Sequence, residues 1–134
     1  MSSIVDIEGI GEAFSKKLKA AGINTTEALL KAGATAKGRK DLAVKTAIDE
    51  AKILEWVNRA DLYRIKGVGS EYSDLLEASG VDTVVELGKR VPVHLLEKMT
   101  EVNKEQKLVR RLPVESQVSS WVEQAKALPR IVSY

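Results

Sequence analysis

The chain has 134 residues, 44% hydrophobic, 30% charged and 4% aromatic, with a net charge of +2 and no cysteine. This composition fits a soluble globular domain, or two very small ones, around an aliphatic core. It excludes a disulfide framework, thiolate metal sites and a thiol nucleophile, and no apolar run approaches bilayer length.

Met1-Ser2-Ser3-Ile4-Val5-Asp6 has neither the basic flank nor the apolar run of a signal peptide, so a cytoplasmic location is expected. A helix is expected over Glu12 to Ala21, ending at Gly22 as a left-handed terminal residue. Thr25 then caps Thr26 to Ala32, which stops at Gly33. Arg39 to Thr46 reads as a short helix. Asp49 caps Glu50 to Ala60, where Ile53, Trp56, Val57 and Ala60 line one face at helical spacing. Ser70 to Ser79 is helical up to Gly80, and Thr83 with Glu86 has the capping-box pattern. Pro92 suits the first turn of a helix reaching about Thr100. Pro113 marks a break, Val114 to Leu128 is the last helix, and residues 129–134 are expected to form a loose tail.

The chain repeats itself. Gly9-Ile10-Gly11 recurs 58 positions later as Gly67-Val68-Gly69, and the same offset pairs Ile7 with Ile65, Ser15 with Ser73, Leu18 with Leu76, Gly22 with Gly80 and Thr25 with Thr83. Further on, Ile53-x-x-Trp56-Val57-x-x-Ala60 matches Val118-x-x-Trp121-Val122-x-x-Ala125 at an offset of 65, so the second copy carries seven extra residues, assigned to Glu101–Pro113. The first copy covers about 4–60 and the second about 61–128. No Gly/Ser/Pro-rich linker separates them, and no strand pattern is present. The expectation is an all-α fold in which both copies pack as one compact domain over 1–134.

Two glycines around an aliphatic anchor, just before a helix, leave backbone N–H groups exposed at a site where the helix dipole favours anions. Such a site takes backbone phosphate without reading bases. The pattern resembles the helix-hairpin-helix family, on Gly9, Ile10, Gly11, Ser15 and Leu18 and again on Gly67, Val68, Gly69, Ser73 and Leu76. The run Trp56 to Gly69 also looks like a bacterial and archaeal family of unknown function built from tandem hairpins. The resemblance implies two helix-hairpin-helix (SAM-like) repeats and a grip on DNA phosphate.

Charge ranks the copies for that role. Arg64 and Lys66 lead into the second turn, and with Gly67, Val68, Gly69 and Ser70 they form the better candidate nucleic-acid site. Gly9, Ile10 and Gly11 with Lys16 form a weaker one, because Glu8 and Glu12 flank that turn; Glu71 follows the second. Lys37, Arg39 and Lys40 around Gly38, and Arg110-Arg111, are further basic clusters. A charge run is usually a solvated face, so hairpins that act only as connectors remain the alternative. In that case the chain is a protein-interaction or scaffold domain, with Leu108, Val109 and Leu112 of the extra segment facing a partner or the core.

Catalysis has little support. His94 is a lone histidine, placed on the outside of its helix, and cannot build a zinc site. There is no Gly-x-x-x-x-Gly-Lys phosphate loop and no third glycine of a dinucleotide fold. The catalytic Asp of the longer helix-hairpin-helix glycosylases has no counterpart. Trp56 and Trp121, at matching positions on apolar helix faces, read as core rather than as base-stacking platforms. The expectation is a non-enzymatic, sequence-independent DNA-binding module without metal, cofactor or membrane partner.

Overall fold

In the computed structural model, residues 3–7 and 9–134 are described. Among these residues eight α-helices follow a short 3-10 turn at Ile4–Asp6: α1 Glu12–Ala20, α2 Thr26–Ala32, α3 Ala36–Thr46, α4 Glu50–Leu62, α5 Ser70–Ala78, α6 Val84–Gly88, α7 Pro92–Gln106 and α8 Glu115–Ala127. Among the described residues the only β pairing is a single bridge between Ser3 and Thr25, so the chain is all-helical. The chain divides into two compact units, Met1–Asp61 with Ile131–Tyr134, and Leu62–Arg130.

Local chemistry fixes the helix ends. Thr25 Oγ1 accepts the Ala28 N–H at 3.1 Å, and Thr35, whose capping role the sequence reading passed over, accepts from Gly38 at 3.0 Å. That second cap starts α3 three residues before the expected Arg39. At the far end of α1, Gly22 N–H reaches Lys19 O and Ile23 N–H reaches Leu18 O, both at 2.9 Å. Gly80 and Val81 repeat this closure at the end of α5, bonding to Glu77 O and Leu76 O. Thr83 caps α6, but the Glu86 carboxylate turns to Arg90 at 3.0 Å instead of reaching back, so the box is half formed.

In the first unit, α1 packs on α3 and on the 3-10 turn, and α2 packs on α3. Ile4, Ile7, Leu18, Leu29, Ile53 and Val57 are buried in it. Each fully buried Leu or Ile contributes about 1.5–3 kcal/mol. In the second unit α8 lies against α6 and α7, and α7 against α5, around Leu75, Leu76, Leu87, Met99, Val118 and Trp121.

Two expectations need correction. The first concerns the extra residues of the second copy and the end of the helix from Pro92. Part of them lengthens α7, which runs to Gln106 rather than to about Thr100, and the rest form the loop before α8. The loop is closed by Asn103, whose side-chain amide accepts the Val109 N–H at 3.0 Å and donates to Val109 O at 3.2 Å. Val109 is buried, and Leu108 and Leu112 pack against the same core.

The tail is not loose over Ile131–Tyr134. Arg39, 4% exposed, donates to Gly33 O at 2.8 Å and to Ser133 O at 2.7 Å. Ser133 N–H donates to Ala34 O at 2.8 Å, and Val132 is buried. A buried guanidinium needs acceptors for its fixed fork of donors, and the tail carbonyl supplies one. Arg39 is therefore a structural residue rather than part of a surface basic cluster.

Candidate nucleic-acid interface

Both Gly-aliphatic-Gly turns are built alike. Ile10 N–H donates to Ile7 O at 3.2 Å, and Val68 N–H to Ile65 O at 3.1 Å. Ile10 and Val68 are buried, 5% and 6% exposed, and anchor their turns. The first glycine of each turn has positive φ, +93° at Gly9 and +96° at Gly67. Each also lies over a tryptophan: a methyl group there would meet Trp56 Nε1 at 3.4 Å or Trp121 Nε1 at 2.9 Å. The tryptophans, both 2% exposed, are core residues. Each is braced by a second ring at a centroid distance of 5.1 Å, Phe14 on Trp56 and Tyr72 on Trp121.

The second glycine of each turn is the residue before a nine-residue helix, Gly11 for α1 and Gly69 for α5. Neither supplies a side-chain cap. The helical bonds of the turn-to-helix junction begin with Ser15 N–H to Gly11 O and Ser73 N–H to Gly69 O, both 2.9 Å. The first-turn N–H groups of Glu12, Ala13 and Phe14, and of Ser70, Glu71 and Tyr72, therefore have no helical acceptor. Gly9, Gly11, Gly67, Gly69 and Ser70 are exposed, so these donors open at the surface. Ser15 and Ser73 are buried, and the Ser73 hydroxyl donates back to Ser70 O at 2.9 Å. A small residue is what lets the first helical turn sit close to the core.

The candidate cations are placed unequally. Arg64 is half-buried and donates to Pro129 O at 2.7 Å. Lys66 is exposed at its side chain, but its backbone is clasped: Gln124 Oε1 accepts its N–H at 2.9 Å and Gln124 Nε2 donates to its carbonyl at 3.3 Å. Lys16 pairs with Glu12 at 3.5 Å, so the acid beside Gly11 has a counter-ion on the next turn. Both partners are highly exposed, and such a pair is worth only about 0.3–0.5 kcal/mol. Glu8, the other acid near the first turn, lies outside the described residues. His94 is exposed, and no group of three His, Cys, Asp or Glu among the described residues could hold a metal ion.

Two features escaped the sequence reading. Gln124 gives no signal, because position 59, its counterpart in the first copy, is an arginine. The second was legible. Carrying the 58-residue offset along the helices pairs Lys16 with Asp74, Lys17 with Leu75 and Lys19 with Glu77. Thus α1 sets three lysines against Glu12, whereas α5 carries Glu71, Asp74 and Glu77 and no base. Matching helices therefore present opposite charge.

No helix among the described residues is long and apolar enough to cross a membrane. No curated protein and no solved structure matches the chain. One family model runs through both copies, over residues 8–128, and by that match the chain belongs to the family described as Domain of unknown function (DUF4332).

Proposed function

We propose that the two glycine turns and their helices are tandem helix-hairpin-helix units, and that the chain is a non-enzymatic, sequence-independent DNA-binding module. The observation that carries this reading is the pair of uncapped, solvent-open helix starts at Gly11 and Gly69, built identically from the two halves of the chain. A phosphate oxygen fits where a capping side chain would otherwise sit, and it gains from the partial positive charge of the helix end. Contacts of that kind position a protein on a duplex and carry no sequence information.

Charge favours the first copy as the stronger contact. Its hairpin is followed by Lys16, Lys17 and Lys19, while Lys66 stands ahead of three acids on α5. Arg64 contributes mainly by fixing the second turn, since one of its donors goes to Pro129 O. The scaffold alternative rests on the near-neutral charge and on the acids beside both turns; of its two placements for Leu108, Val109 and Leu112, these residues take the one against the core.

The test is a fluorescence titration with duplex and single-stranded DNA at two salt concentrations. Binding is expected to be modest and indifferent to sequence. Lys16→Glu and Lys66→Glu are expected to weaken it several-fold, the first more than the second. Affinity unchanged in both variants would remove the hairpins from the interface.

A further inference from the structure

At the end of α1 far from the glycine turn, the first unit has a cleft of about 330 Å³ lined by Lys17, Ala20, Ala21 and Lys45. It lies where the last turn of α1 meets the last turn of α3. Its volume is at the lower end of the range for small-ligand sites, about 300–1,000 Å³. Two alanines leave the space open, and two ammonium groups are the charged groups of its lining. No carboxylate lines it, and among the described residues neither lysine has an ion-pair partner. The helix ends oppose an anion here, each bringing roughly half a negative charge, but two full positive charges outweigh them by about one unit.

Lys17 is also partly positioned. Its ammonium lies 6.0 Å from the centroid of the Phe14 ring, which Lys52 approaches at 5.7 Å. Holding the long side chain this way lowers the entropy lost when it takes a ligand. The second unit supplies an internal comparison. There Leu75 stands at the position of Lys17 and is fully buried, so a residue that packs the core in one copy has become a surface cation in the other.

We propose that this cleft binds a phosphoryl group, with Lys17 and Lys45 as its charged contacts. The phosphate comes either from a free phosphorylated small molecule or from a nucleic-acid backbone. The proposal deepens the DNA reading and rests on it only for the second source.

The experiment is an amide-resolved NMR titration of the full chain at low ionic strength, with sodium pyrophosphate in one arm and a short DNA duplex in the other. Saturable shifts at the amides of Lys17, Ala20, Ala21 and Lys45 with pyrophosphate are expected. In the Lys17→Gln/Lys45→Gln double variant the pyrophosphate affinity should fall about tenfold, with the remaining spectrum unchanged. Lys31→Gln should leave it intact. Pyrophosphate binding at the cleft without DNA binding supports the site and overturns the DNA reading. DNA shifts confined to residues 9–14 and 67–72, with no response to pyrophosphate, overturn the site and leave the DNA reading standing. Shifts that persist in the double variant also overturn the site.

Discussion

At Gly67 a side chain has no room. Its φ of +96° disfavours any L-residue, and a methyl group would lie 2.9 Å from Trp121 Nε1. Gly67→Ala is expected to cost about 2–4 kcal/mol, combining backbone strain with overpacking. Gly9→Ala should cost less, because the matching contact is 3.4 Å. The second glycines differ in kind. Gly11 and Gly69 have negative φ, and nothing lies within 4 Å of an added methyl. Alanine at either position should change stability by no more than about 0.5 kcal/mol. It would still place a methyl group beside the open N–H groups, so DNA affinity should fall while the urea midpoint stays fixed. Denaturation curves of the four variants check this; equal losses at Gly67 and Gly69 would contradict it. The first glycine of each turn is thus demanded by the fold, while the second leaves open space at a helix start.

At the scale of elements, two side-chain amides each hold a stretch of backbone that no helix or sheet would order. Gln124 on α8 clasps Lys66, and Asn103 on α7 clasps Val109. Replacing either amide with alanine removes both hydrogen bonds of its clasp, worth about 1–3 kcal/mol together. Gln124→Ala should also release the second hairpin, raising hydrogen exchange at Lys66 without affecting exchange at Ile10. Neither clasp was legible in the sequence, because each depends on where a loop runs in space. Helix caps were more readable. Thr25, Thr83, Gly22 and Gly80 act where their spacing placed them, since capping is a contact between residues three or four apart. The length of α7 was missed because Thr100 ends no hydrophobic pattern and carries no stop signal: its hydroxyl bonds back to Leu96 O at 2.8 Å within the helix.

For the whole chain, the repeat gave the largest part of the architecture in advance. Two matched sets of glycine, serine, leucine and tryptophan account for both turns and for the two buried tryptophans; the rings beside them, Phe14 and Tyr72, were not read. What the repeat concealed was a position where the copies diverge, Arg59 against Gln124, since alignment rewards agreement. The tail was also unreadable, because its anchor, Arg39, lies far away in sequence and looked like one member of a surface cluster. Arg39→Ala should destabilise the first unit by about 2–4 kcal/mol, as it strands Gly33 O and Ser133 O. Limited proteolysis should then cut the chain after Arg130 faster than in the parent protein.

Phosphate contact by the two turns is tested most directly by the salt dependence of duplex binding. Two hairpins that each neutralise one or two phosphates predict a straight line of log affinity against log salt, with a slope of about −2 to −4 and the same value for unrelated duplex sequences. A chain that fails to bind duplex DNA at low salt, or binds with a slope near zero, would contradict it.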